Sequence, residues 1–313
     1  MEKFLFFFTH YGVPTVFFLI VLLRRAKSLF GLWAAAGFFT SVLLFLFLWG
    51  QWPLVGSYYA RLLPLAVIVV VALTAVRATS AGLPVLNSRM ILTAGSVILV
   101  AFTGYVCYGV AGAYAGKHYP KSFAELEFPL RDGRYYISSG GSRKVINNHM
   151  RDYPNAQEYA LDINKLGTAG GASSNILLAD NRLHHIFGEP IHAPCGGTVT
   201  EVVTDVADNA GSSMDVNPED GSGNYVFINC NGIVVAIVHM KFGSARVSTG
   251  DIVKVGQQLG QVGNSGFSQE PHLHLQAAAY NADDKLAGIP MRFAGRTYSR
   301  NDVVSIEQGK FGD

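Results

Sequence analysis

With 313 residues the chain is long enough for about two domains, and half of its residues are hydrophobic. The formal net charge of +2 hides an asymmetry: before Ala113 stands one acidic residue, Glu2, against seven basic ones, Lys3, Arg24, Arg25, Lys27, Arg61, Arg77 and Arg89. The remainder, with seventeen basic and twenty-one acidic residues, is mildly acidic and has no basic stripe, which excludes a nucleic-acid footprint.

Four stretches of the first part approach the ~20 mostly apolar residues that a membrane-crossing helix needs: Phe4–Leu23, Leu29–Trp49, Tyr58–Val76 and Met90–Ala111. Arg61 weakens the third, but a long Arg stem at a helix end can snorkel to the interface. A soluble core large enough to cover four such runs is not expected in a chain of this length. Short loops rich in Lys and Arg stay cytoplasmic. The first loop carries Arg24, Arg25 and Lys27 and the third carries Arg77 and Arg89, whereas the second is rich in Trp49, Trp52, Tyr58 and Tyr59, which suit an interface. Both termini are therefore expected outside. The basic cluster follows the first apolar run instead of preceding it, so that run reads as an anchor and not as a cleaved signal. His10 and Pro14 within it read as a tolerated polar residue and a kink.

The texture changes at Ala113. Residues 113–124 read as a stalk and 125–313 as the second domain, leaving 1–112 to the membrane. Short β-type runs follow at Arg134–Ile137, Tyr159–Ile163, Gly197–Val203, Asn224–Asn229, Ile233–His239, Gly260–Val262 and His272–Ala277. Turn signals separate them, and Asn231-Gly232 between two apolar runs predicts a tight hairpin. The expected fold class is thus a four-span α-helical membrane region followed by a mainly antiparallel β domain. Thr204–Gly223, polar and rich in Gly and Asp, reads as a long mobile loop, either a plain insertion or a gate beside a site.

Pro271-His272-Leu273-His274 carries the sharpest chemical signal, because residues i and i+2 of a strand face one side. Alone, such a pair is weak. Its surroundings are informative: Gly250-Asp251 through Gly263-Asn264-Ser265-Gly266 precede it, with Val238-His239-Met240, Pro190-Ile191-His192-Ala193-Pro194-Cys195-Gly196-Gly197-Thr198-Val199 and Tyr159-Ala160-Leu161-Asp162-Ile163 upstream. Together these four ordered blocks, over about 150 residues, resemble the lysostaphin-type (LytM-domain) zinc metallopeptidases, which act on peptidoglycan. The membrane half lies outside the resemblance.

The resemblance implies a Zn2+ ion held by His149, Asp162 and His274, with His239 and His272 flanking the attacking water and the scissile carbonyl. Three His/Asp ligands leave a fourth position open, as catalytic zinc sites do. No H-E-x-x-H helix supplies a Glu base, so histidines must move the proton. The commonest pattern of the family places a His four residues before the Asp; here that position holds Glu158. Either Glu158 is the ligand, or an insertion makes it His149, with Arg151–Gln157 looping out through Pro154 and Asn155. The second is favoured, since two carboxylates would lower the charge at the metal. His184, His185 and His192 fall outside the matched positions and read as surface or cleft residues. The implied protein is a peptidase of the bacterial cytoplasmic membrane, its partners the bilayer and a peptidoglycan peptide, with its catalytic domain on the outer side. Two other classes stay open: an inactive relative that binds wall peptide or activates another hydrolase, and a membrane transporter or signalling protein with a sensor domain. Cys107 reads as a buried filler in a span. Cys195 and Cys230 stand in the exported domain, where a disulfide can persist, although spacing alone does not show that they meet.

Overall fold

A computed structural model describes residues 2–23, 29–80, 94–120, 122–152, 156–176, 180–211, 221–283, 285–307 and 310–312. The loop cations Arg24, Arg25, Lys27 and Arg89, the start of the fourth expected span, and Pro154 and Asn155 lie outside the described residues. The chain forms two compact units, Met1–Tyr114 and Ala115–Asp313.

The first unit is helical: α1 (Glu2–Phe7), a π-helical turn (Phe8–Gly12), α2 (Val13–Leu23), α3 (Leu29–Trp49), α4 (Leu62–Thr79) and α5 (Ala94–Ala115). Two of its described helices, Leu29–Trp49 and Tyr58–Thr79, are long and apolar enough to cross a membrane; Phe4–Ile20 and Val100–Ala115 are shorter apolar helices. The expectation of four spans is therefore met in full length by two. Arg61 behaves as its position suggests, its guanidinium lying 4.5 Å from the centre of the Phe47 ring. His10 is buried, and its Nδ1–H donates to the Phe6 carbonyl at 2.7 Å while Nε2 accepts from the Gln51 N–H at 3.1 Å. Both ring nitrogens are satisfied, so the residue fastens the π turn to the end of α3. Cys107, expected buried, is exposed on α5, because helix faces without a protein neighbour carry apolar side chains here.

Fourteen strands are formed among the described residues of the second unit: β1 (Ala124–Leu126), β2 (Gly133–Ser139), β3 (Leu161–Leu166), β4 (Pro190–His192), β5 (Gly197–Val203), β6 (Asn224–Cys230), β7 (Ile233–Met240), β8 (Ile252–Val253), β9 (Gln258–Gln261), β10 (Leu273–Tyr280), β11 (Leu286–Gly288), β12 (Met291–Phe293), β13 (Val303–Glu307) and β14 (Lys310–Phe311). Among these described strands lie the short α6 (Asn148–Asp152) and a 3-10 turn at Asn181–Leu183. The main sheet runs β14-β13-β2-β3-β10-β7-β6-β5-β8, with β11 on β10, and β4 pairs β9 apart from it. These pairings are antiparallel; only β1 with β12 is parallel. Asn231-Gly232 joins β6 to β7 as expected, both residues at positive φ (55° and 90°), the backbone a two-residue hairpin turn requires.

Alternation sorts the two faces of the central strands. Leu161 and Ile163 of β3, Leu273, Leu275 and Ala277 of β10, and Val235 and Ile237 of β7 join one hydrophobic core. Asp162, His274 and Gln276 consequently point to the opposite face. The stretch 113–124, expected as a stalk, is helix to Ala115 and then lies along the β unit: Lys117 pairs with Asp302 at 2.8 Å, the Tyr119 hydroxyl donates to the Tyr298 carbonyl, and Ala124 opens β1. Cys195 and Cys230 form a disulfide. Closing a loop of 35 residues stabilises by roughly 3–4 kcal/mol in the chain-entropy picture.

Candidate metal centre

Three strands and one turn bring the candidate residues together. Register places His274 of β10 directly opposite Asp162 of β3. His149 arrives from α6, whose first turn is set by Asn147: its Oδ1 accepts from the His149 N–H at 3.0 Å and the Met150 N–H at 3.4 Å, as an N-cap does. The Asn147 amide group donates in turn to the carbonyls of Gly141 and Glu158. The result is one tight group: His149 Nε2 lies 2.8 Å and His274 Nδ1 3.2 Å from Asp162 Oδ1. Among the described residues, His149, Asp162 and His274 are the group able to hold a metal ion, their donor atoms all within 4.8 Å of one another. Glu158 is not in it; its carboxylate lies against the Tyr159 phenol, which burial and that carboxylate push up.

The donor set fits a divalent ion. Ligands of tetrahedral zinc at about 2.0–2.1 Å stand about 3.3 Å apart, close to the spacings observed. Gln276, two residues on and on the same face, accepts from His274 Nε2 at 2.9 Å. This leaves the Nδ1 lone pair of His274 facing a carboxylate oxygen, an arrangement that calls for a proton or a cation between two acceptors.

His239 reaches this face by a break in alternation. Val235 and Ile237 face the core, so an unbroken strand would send His239 there as well. Instead, the ladder pairs Tyr225 with Val238 and Asn224 with Met240, skipping His239, which takes a φ of 61°. The bulge turns its ring outward and lets Met240 fill the core position. The His239 ring centre lies 4.9 Å from that of His272 and 5.8 Å from that of His274. His239 Nδ1–H donates to the Ser265 carbonyl at 2.8 Å and His272 Nδ1–H to the Glu270 carbonyl at 2.8 Å. In both rings Nε2 is therefore the remaining acceptor; that of His272 lies 3.6 Å from Asp162 Oδ1.

Charge follows from these contacts. Burial, aided by the neighbouring His272 and His274, holds His239 well below the usual histidine range. Burial alone would raise Asp162, but His149, His272 and His274 outweigh it and hold the carboxyl well below the usual carboxylate range. Both groups thus bind a proton less readily folded than unfolded. The unfolded chain takes up the extra protons as pH falls below about 6.5 for His239 and below about 3.9 for Asp162. The melting temperature of chelator-treated protein is accordingly expected to drop between pH 7.5 and 5, and the His239→Gln variant to show a flatter dependence. An unchanged slope in that variant would assign the acid sensitivity elsewhere.

The expected mobile loop is, in its described part, fastened to the wall of this site. Asp208 Oδ1 accepts from the Asn264 N–H at 2.7 Å, and the Asn209 amide donates to the carbonyls of Gly266 and Ser268 at 2.7 and 2.9 Å. Residues 212–220 lie outside the described residues. His184, read as a surface or cleft residue, is buried; His185 packs on Gly167, and His192 Nδ1 faces the Pro129 carbonyl at 3.4 Å. Gln276 escaped sequence reasoning, although its place two residues beyond His274 was a readable signal. The roles of the Ser265 and Glu270 carbonyls left no such mark.

Part of the chain is similar to known proteins. Residues 182–285 match the family model described as Peptidase family M23; the match includes His239, His272 and His274 and stops short of His149 and Asp162. Lysostaphin of Staphylococcus staphylolyticus is 30% identical over 179 residues, which cover 55% of this chain and 32% of that protein. The glycyl-glycine endopeptidase ALE-1 of Staphylococcus capitis is 36% identical over 73 residues, 23% of this chain and 20% of that protein. The chain thus spans about a third or less of the length of these relatives. Among solved structures, a zinc-containing peptidase from Vibrio cholerae is matched at 18% identity and a TM-score of 0.32, covering 54% of this chain and 39% of that one.

Proposed function

We propose that this protein is a membrane-anchored zinc metallopeptidase that hydrolyses peptide bonds in bacterial peptidoglycan. The observation that carries the reading is the convergence of His149, Asp162 and His274 on one point with His239 and His272 beside them. Zinc, when bound, supplies Lewis acidity that polarises a peptide carbonyl and acidifies water from a pKa of about 15.7 to about 7. His149 Nε2, an Asp162 carboxylate oxygen and His274 Nδ1 would hold it, with Gln276 fixing the His274 tautomer. His239 and His272, each with Nε2 open, accept the proton of the attacking water and return it to the leaving nitrogen. Their Nδ1 protons, anchored on the Ser265 and Glu270 carbonyls, keep both rings in that tautomer.

The substrate class rests on the M23 match and on the named activities of the staphylococcal relatives. Anchoring rests on the two long apolar helices together with two shorter ones, whose outward residues include Phe4, Leu73, Val100, Phe102 and Tyr108; such apolar faces suit lipid. Four spans are read from the four apolar runs of the sequence, and both termini outside with the β unit on the outer side of the cytoplasmic membrane from the Lys/Arg asymmetry of the loops; the Cys195–Cys230 disulfide suits an oxidising compartment. Two measurements test the proposal. Full-length protein in detergent is expected to release peptide fragments from purified peptidoglycan, resolved by mass, and to stop on chelation; fragments unaffected by chelator, or none at all with zinc bound, refute the enzyme. A reporter active only in the cytoplasm, fused after Asp313, is expected to stay silent.

A further inference from the structure

Arg300 is an almost fully buried cation, 1% exposed, in a segment that the M23 match does not reach. A guanidinium is retained in such a place only when its donors are used. Its Nε donates to the Ser138 carbonyl at 2.9 Å and a terminal nitrogen donates to Asn148 Oδ1 at 2.9 Å. Ser138 is the penultimate residue of β2, and its hydroxyl donates to the backbone carbonyl of Asp162 at 3.3 Å. Asn148 opens α6 immediately before His149, and its N–H donates to Ser139 Oγ at 3.0 Å. The guanidinium therefore spans from the strand end beside one ligand to the turn that carries another.

Arg300 is itself held. Its N–H donates to the Gly140 carbonyl at 3.0 Å, and Asp302, which accepts from the N–H and hydroxyl of Ser299 at 2.8 and 2.9 Å, fixes the turn around it. Lys117 closes that turn from outside, donating to Asp302 at 2.8 Å and to the Arg300 carbonyl at 3.4 Å. The planar fork of an arginine can serve two acceptors in fixed directions, which a lysine cannot.

We propose that Arg300 is a positioning residue for the metal: by bridging Ser138 and Asn148 it sets the spacing of His149 and Asp162. The inference rests on the zinc-peptidase reading. It is not about contact with substrate, and it gives the C-terminal segment a part in the chemistry that neither β13 nor β14 plays.

The test substitutes Asn148, which is only partly buried, so that the Arg300 side chain stays in place. Full-length protein in detergent is titrated with zinc against a chromogenic chelator, and the metal-free form is melted in parallel. Asn148→Leu, which removes the acceptor, is expected to raise the zinc Kd about tenfold or more and to lower the metal-free melting temperature, because a buried guanidinium N–H loses its partner. Asn148→Asp keeps an acceptor and is expected to stay within about twofold of the unsubstituted chain. Arg300→Lys is expected to weaken zinc as Asn148→Leu does. An Asn148→Leu protein that binds zinc as tightly as the parent overturns the inference, as does one that melts lower with an unchanged Kd, since that marks a merely structural contact. An Asn148→Asp protein as weak as Asn148→Leu overturns it too. In each of these cases zinc binding by the parent leaves the peptidase reading intact. A parent chain that takes up no zinc removes both.

Discussion

Replacing His149 by Ala is expected to empty the metal site, whereas replacing Glu158 by Ala leaves it filled. The sequence offers both residues as the ligand preceding Asp162, and their positions separate them: His149 Nε2 is 2.8 Å from Asp162 Oδ1, and Glu158 is turned to Tyr159. Apparent zinc binding energies of about 10–16 kcal/mol, shared among four ligands, make each worth about 3–4 kcal/mol, on the order of 10²–10³ in Kd. His149→Ala should therefore lose stoichiometric zinc after gel filtration and lose peptidoglycan hydrolysis with it. Metal analysis of the two purified variants decides the matter. Zinc retained in His149→Ala and lost in Glu158→Ala would reverse the ligand assignment and leave the peptidase reading in place.

The second large effect separates metal binding from proton transfer. His239→Ala and His272→Ala are expected to keep zinc, since neither residue belongs to the group of three donors. A positioned acid–base group contributes typically about 10²–10⁴-fold, so kcat should fall by that range, equivalent to about 2.7–5.4 kcal/mol of barrier, with KM little changed. Each ring is held by its own backbone carbonyl, Ser265 for His239 and Glu270 for His272, so losing one should leave the other where it is. Steady-state kinetics at saturating zinc, beside metal content, is the measurement. A variant that loses metal along with activity would make its histidine a ligand; one with full activity would remove it from the mechanism.

Local pattern carried most of the site's membership. The His272-Leu273-His274 spacing on a strand, the lone Asp162 between apolar neighbours, and the motif blocks around His239 are properties of short stretches, and side-chain alternation makes them legible without coordinates. The Asn231-Gly232 hairpin was readable for the same reason, because two positive φ values restrict the residue types. The apolar runs of the first unit were equally plain, yet their number of full spans was not: two of the described helices are long and apolar enough to cross a membrane, and the two others are shorter apolar helices.

Four things depended on the tertiary structure. His239 faces the site only because the β6–β7 ladder skips it, a bulge that unbroken alternation would have hidden. His149, favoured over Glu158 from the charge at the metal, is brought beside Asp162 only by the Asn147 cap and the pairing of β3. Cys195 and Cys230, separated by 35 residues, meet because β5 and β6 are neighbours in the sheet, which spacing does not state. The last is the C-terminal segment: β12 pairs with β1 and β13 with β2 across more than 150 residues of sequence, and Arg300 reaches Asn148 by the same route. Contacts of that separation come from the closure of the whole β unit and leave no local periodicity to read. The amino-acid sequence by itself determined which residue types could make a metal centre; which of them meet, and what holds them at that distance, was decided by strand pairing.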